Sequence, residues 1–183
     1  MKIEPKRCTL KNGKEVLLAS PTAKDAAQLI AYMKKTAEES ENLVRYPEEL
    51  VLTLQDEERM LENIEKNERE CFVSAFIDGK IKGNASLSCI GERIKLKHRC
   101  GLGMAVFEEV QGIGLGSLLM DEILDHAVKF GYEQIELEVR ADNEKALSLY
   151  KKKGFEECGQ IYHGFKLKNG EYVDLLMMIC RLK

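Results

Sequence analysis

Three glycines separated by single residues, Gly112, Gly114 and Gly116, stand between an apolar run ending at Val106 and a segment in which Leu118, Leu119, Ile123, Leu124 and Val128 recur at helical spacing. Such a turn carries the chain tightly from a strand into a helix, because glycine alone takes left-handed backbone angles without steric penalty. It also puts the helix's first N–H groups, which lack internal acceptors, at the positive end of the helix dipole. An anion such as a pyrophosphate suits that mouth. The plainer alternative is a turn whose glycines only let the helix pack.

The pattern continues downstream. The helix stops at Gly131, a strand spans 134–139, and a second helix over 143–153 is closed by Gly154. Residues 155–168 and 172–182 flank Asn169-Gly170 as an antiparallel hairpin. Upstream, Asn12-Gly13 marks another hairpin, and Thr22 with Asp25 and Thr53 with Asp56 are capping boxes opening two helices. Strand-like runs follow at 71–77, 82–90 and 98–106, the first two joined by Asp78-Gly79. Hairpins together with a β-α-β step predict a mixed α/β fold with a central sheet of about seven strands and about four flanking helices. No Pro-, Gly- or Ser-rich stretch suggests a linker and no repeat is visible, so residues 1–183 are expected to form a single domain.

Composition narrows the partners. Formal net charge is −3 with signs mixed along the chain, which lacks the basic footprint of a nucleic-acid binder. No apolar run approaches the length of a membrane span, and the start lacks the apolar core of a signal peptide. The six cysteines (Cys8, Cys71, Cys89, Cys100, Cys158 and Cys180) form no C-x-x-C pair. They read as reduced thiols of a cytoplasmic protein, with no metal site and no disulfide framework.

Among nucleotide-binding turns, the P-loop fails because Ser117 is followed by Leu118 rather than preceded by lysine. The dinucleotide fingerprint fails because the glycines alternate instead of following G-x-G-x-x-G. The third pattern, Q/R-x-x-G-x-G/A, is met by Gln111, Gly114 and Gly116. Here the chain resembles the GNAT (Gcn5-related N-acetyltransferase) superfamily. Residues 137–155 are similar to the companion segment L-x-V-x-x-x-N-x-x-A-x-x-L-Y-x-x-x-G-F, through Leu137, Val139, Asn143, Ala146, Leu149, Tyr150, Gly154 and Phe155. The likeness covers roughly residues 98–157; the first third agrees in element order alone.

The resemblance implies a sheet splayed in its middle and an acetyl-CoA-dependent N-acetyltransferase, in which an amine attacks the thioester directly within a ternary complex. Backbone amides of Gln111, Gly112, Ile113, Gly114, Leu115, Gly116 and Ser117 would hold the CoA pyrophosphate, and a branched side chain at Gly114 would fill that site. Met104, Ala105 and Val106 would pair with pantetheine. Asn143 would reach the cofactor or simply cap its helix. Tyr150 would protonate the departing thiolate, or else serve as core packing.

For the base, Glu138 is similar in position to the glutamate of ribosomal-protein alanine acetyltransferases, although a solvated strand face would also explain it. Many relatives carry an acid where this chain has Gly101, which leaves Glu138, a water chain or His98. The acceptor is a primary amine, on a small molecule or a protein N-terminus. The acidic stretch 38–49 would either attract it or lie solvated, and Tyr162, Tyr172 and Asp174 could complete its pocket. An acyl-CoA sensor of the same fold, without turnover, stays open, as does the oligomeric state, a homodimer included.

Overall fold

The computed structural model describes residues 2–182. The chain order is β1 (Lys6–Thr9), β2 (Glu15–Ala19), α1 (Ala26–Glu39), α2 (Leu54–Lys66), β3 (Cys71–Ile77), β4 (Lys80–Cys89), β5 (Arg99–Val106), α3 (Leu115–Lys129), β6 (Gln134–Arg140), α4 (Glu144–Lys152), β7 (Glu156–Lys166) and β8 (Tyr172–Arg181). Local chemistry sets many of these limits. Thr53 accepts from the Asp56 amide and opens α2, and Asn143 does the same for α4 through Ala146. The α1 box works one step early: the Thr22 amide and hydroxyl both donate to Asp25, but they cap a short 3₁₀ turn that α1 follows. Gly131 and Gly154 take the left-handed angles expected after α3 and α4.

Among the described residues the strands form one eight-stranded sheet in the order β1-β2-β3-β4-β5-β6-β8-β7. All pairings are antiparallel except β5 with β6. One face, bearing Cys71, Val73, Ala75, Ala85, Leu87, Cys100 and Ile135, is buried against α3 and its Leu115, Leu119 and Ile123. On the other lie α1 and α2, which pack on each other. The cysteines split by position: Cys71, Cys100 and Cys180 are buried and Cys158 is exposed, all with free thiols. Burial pushes the Cys71 and Cys100 thiols up to about 12. No helix is long and apolar enough to cross a membrane, and no cluster of metal-ligating side chains occurs, among the described residues.

The helix α2 contains one anomaly. Glu57 is only 2% exposed, yet its carboxyl oxygen Oε1 is buried without a hydrogen-bond partner. Burial raises the pKa of this group above the usual carboxylate range. The folded state therefore resists ionisation that the unfolded chain accepts. This contribution to stability is complete below the usual carboxylate pKa and is lost as pH rises through the raised one. Glu57→Gln should accordingly melt about 2–4 °C higher than the natural protein at neutral pH. The advantage should fade toward about pH 4, where both states hold the proton; paired thermal melts across that range read the difference directly.

Candidate active site

The site is made where two neighbouring strands part. β5 and β6 pair at Arg99–Gln134, Cys100–Ile135 and Gly101–Glu136, and nowhere further along. That joined end is stitched firmly. His98 O accepts from the amides of Glu133 (2.9 Å) and Gln134 (3.2 Å), and Arg99 holds Glu136 through two nitrogens. Arg99 keeps the Glu136 carboxyl below its usual range. Beyond Gly101, residues 102–106 run on beside β4 alone, while 137–140 stay with β8. On the freed edge Val106 O accepts from Gln111 Nε2 (3.5 Å), while Ala105 O, on the β4 side of the strand, accepts from the Tyr32 hydroxyl (2.6 Å).

The glycine turn lies just past the parted end of β5. Gly112 and Gly114 have φ of 76° and 96°, which supplies the reason for glycine at both. Gly116 is ordinary in φ but close in packing, since a Cβ there would meet Leu149 at 3.3 Å. The first helical bond runs from Leu118 N to Gly114 O (3.1 Å), so the amides of Leu115, Gly116 and Ser117 precede it and have no acceptor inside the helix. Two lysines attend the turn. Gln111 Oε1 accepts from Lys145 Nζ (3.4 Å). Lys11, from the β1–β2 hairpin, donates its amide to Ile113 O (3.1 Å) and lays its alkyl chain against Gly114. A Cβ on Gly114 would thus point at Lys11, 3.5 Å away, and not into an open anion site as the sequence suggests. Asn12-Gly13 foretells the hairpin, but nothing local tells where it docks.

Tyr150, on α4, is 8% exposed and tilted against Phe155 with ring centroids 5.7 Å apart. Burial raises its pKa, and its hydroxyl has no hydrogen-bond partner among the described residues, so it retains its proton and can donate it. Asn143 Oδ1 accepts from the Ala146 amide (3.2 Å), which occupies that oxygen in capping α4. Glu138 lies one alternation beyond the last β5–β6 pair, exposed, on the sheet face opposite α3. His98 does not join this group, because it sits at the joined end of the strands. The face carrying Glu138 has small residues across the gap. Gly101 stands against Ser88 and Gly103 against Ser86, where a Cβ at Gly103 would come within 3.0 Å of Ser86 Oγ. Gly103, Ser88 and Met177 are exposed on this side, which makes it an open trough.

The acidic stretch 38–49 turns out to be engaged. Arg140 Nη1 donates to Glu41 O (3.0 Å), and Arg140 is itself fixed by Asp142 (2.7 Å). Tyr46 OH accepts from the Lys168 amide (3.1 Å), Lys168 lies 4.1 Å over the Tyr46 ring, and its ammonium pairs with Glu48. That lysine holds the Glu48 carboxyl below its usual range. Glu49 accepts from the Tyr46 amide (2.8 Å), and Glu39 from the Glu108 amide (2.9 Å). These contacts fasten the loop to Arg140 at the end of β6 and to Lys168 in the β7–β8 turn, so most of its acids are not a free acidic field. Asp174 likewise braces the bulged β7–β8 hairpin, accepting from His163 N and Gln160 Nε2, both at 2.8 Å. Tyr172 stacks on His163 (4.7 Å) and Tyr162 is 75% exposed, so these three do not converge on a pocket.

A helix-mouth turn beside a parted β5–β6 pair, backed by a buried phenol, defines a class. Residues 30–155 match the acetyltransferase (GNAT) family, and the chain belongs to it. Among particular relatives, it is 34% identical over 105 residues to the L-amino acid N-acetyltransferase AaaT of Escherichia coli (strain K12), a stretch covering 57% of this chain and 64% of that protein. The chain spans less than two thirds of the length of the curated relatives it matches. Its fold superposes on an acetyltransferase of the GNAT family from Streptococcus pneumoniae with a TM-score of 0.87 and 26% identity, over 91% of this chain and 99% of that one. A phosphinothricin acetyltransferase from Sinorhizobium meliloti, solved in complex with AcCoA, aligns with a TM-score of 0.78 and 18% identity, over 91% and 88%.

The 41–49 loop should depend on its long-range clasps. Arg140→Met should accelerate amide hydrogen exchange in residues 41–49 by at least about ten-fold while leaving β6 and β8 protected. Exchange followed by mass spectrometry checks this.

Proposed function

We propose that the protein is an acetyl-CoA-dependent N-acetyltransferase acting on a primary amine, by direct attack on the thioester in a ternary complex. The observation that carries this is the separation of β5 from β6 beside the glycine turn: a slot with unpaired strand backbone ends at a helix mouth with free amides. The donor set fits CoA. Amides of Gly112 to Ser117, with the Ser117 hydroxyl, suit the pyrophosphate, whereas the Gln111 amide that the sequence adds to this set is taken by Glu108 O (3.1 Å); Lys11 and Lys145 add positive charge at the flank. Strand residues Met104, Ala105 and Val106 offer backbone along the slot to an amide-bearing arm. Capture of AcCoA by the S. meliloti relative supports the same use here.

The bound thioester supplies an activated acyl carbonyl and a thiolate leaving group. The chain's part is positioning and proton handling. The attacking nitrogen needs its lone pair, and Glu138, exposed on the trough side of the split, accepts the proton. Tyr150, kept protonated by burial, donates one to the departing sulfur. Leu102, Met104 and Val106, half-buried on the α3 side, limit water around the slot. A non-catalytic acyl-CoA sensor is the second reading, and the bare Gly101 position favours it.

Purified protein with acetyl-CoA and a panel of primary amines should release free thiol in an amine-dependent way. Binding of acetyl-CoA without thiol release from any of them would favour the sensor. Tyr150→Phe should lower kcat by about 10- to 100-fold with the Kd for acetyl-CoA unchanged, since it removes a proton donor and little volume.

Lys11→Ala should weaken acetyl-CoA binding several-fold at low salt, and the difference should shrink at about 1 M salt as screening shortens the reach of the charge. Calorimetric titrations at two ionic strengths would measure it, and an equal loss at both would assign Lys11 a packing role only.

A further inference from the structure

The β1–β2 hairpin touches the glycine turn at its tip, and it is tied to the α3 segment a second time at its base. At the tip, the Lys11 amide donates to Ile113 O and the lysine's alkyl chain lies on Gly114. At the base, Lys6 Nζ donates to Glu122 Oε2 at 3.2 Å. Strand register explains why this lysine reaches the helix. Lys6 stands opposite Leu18 and Leu18 opposite Ala75, so all three share the sheet face that α3 covers. Glu122 follows Leu115 by seven residues, about two turns along nearly the same side of α3. One helix therefore presents the anion-binding mouth and, two turns on, an anchor for the hairpin whose tip lies at that mouth.

The anchor is made for a charge. Glu122 is buried and both carboxylate oxygens have neighbours, Oε2 in Lys6 and Oε1 in His126 Nδ1 at 3.4 Å. His126 is buried too, with Nδ1 2.9 Å from Glu122 O and its ring edge-on to Phe130. A carboxylate so placed needs a cation, and Lys6 is the ammonium that meets it. The hairpin in turn needs the anchor. β1 is the outermost strand, four residues long, and β2 is its one neighbour in the sheet. Ile3 and Leu10 bury apolar side chains on either side of it, and such packing has no direction of its own. An ion pair to a fixed carboxylate does. At the far end, no carboxylate pairs with the Lys11 ammonium among the described residues.

We propose that Glu122 is a positioning residue for the cosubstrate: through Lys6 it sets the hairpin along α3 so that the Lys11 ammonium stays beside the glycine turn. The inference rests on the acetyl-CoA reading of that turn. It adds a residue two helical turns from the phosphate site, acting on cosubstrate affinity through a second element. Glu138 and the amine's side of the slot lie across the sheet.

A double-mutant cycle on the full chain tests this, with the Kd for acetyl-CoA measured by calorimetric titration at low salt. Lys6→Met and Glu122→Gln should each weaken binding about two- to five-fold, the range of a single exposed ion pair. Lys6→Arg, which keeps charge and reach, should bind as tightly as the natural protein. In a chain already carrying Lys11→Ala, Lys6→Met should cause no further loss, because the group it positions is gone. A loss that persists in that background would make the pair a general support of the fold and overturn the proposal. An unchanged Kd in Lys6→Met or in Lys11→Ala would overturn it as well, as would a loss in Lys6→Arg equal to that in Lys6→Met. Lys6 is the exposed end of the pair, so Lys6→Met decides the matter even where Glu122→Gln, at the buried end, melts too low to use. A natural protein that binds no acetyl-CoA would instead overturn the reading of the glycine turn.

Discussion

Everything at this site follows from two strands ceasing to share hydrogen bonds. β5 and β6 are held together at one end by the Arg99–Glu136 pair and the His98 carbonyl, and they separate immediately after Gly101. Interior backbone must find partners, so a split in a sheet persists only if something else accepts and donates. Here Gln111 reaches the carbonyl of Val106 on the open edge. The slot is thereby kept open without a ligand, and it leads straight to the glycine turn. A gap already present in the fold lowers the ordering cost of any association made there.

The two sheet faces then divide the labour. On the α3 side the parted strands present Leu102, Met104 and Val106, an apolar flank for the slot. Across the sheet, Gly101, Gly103, Ser86 and Ser88 keep the floor low, and Glu138 stands at its edge. Small residues in the middle of a sheet weaken strand packing, since they contribute little apolar burial. The core compensates elsewhere, where Leu115, Leu119, Met120 and Ile123 are fully buried against β3 and β4. Space on one face is possible because the opposite face is dense.

Local signals made much of this readable from sequence. Alternating glycines, the asparagine at the head of α4 and the turns closing α3 and α4 act within a few residues of themselves, and the structure follows them closely. What escaped was long-range. No pattern near Lys11 reveals that its hairpin abuts Gly114, and the acids of 38–49 look solvated until Arg140 and Lys168 are seen to reach them. The length over which β5 and β6 pair is likewise a property of the sheet as a whole. Glu57 is different, because its signal was present: it shares the i, i+3, i+4, i+7 stripe with Met60, Leu61 and Ile64. Surrounded by Glu58, Glu62 and Glu65, it was masked by an acidic composition that suggests a solvated helix.

The clasp between Tyr46 and Lys168 joins points 122 residues apart. A ribosome therefore delivers the loop well before the hairpin that secures it, and segment 41–49 lacks that clasp during the interval. The glycine turn and α3, by contrast, can be assembled while synthesis is still under way. The fastening of that loop must wait for β7 and β8, so a nascent chain completes its glycine turn before its 41–49 segment is held in place.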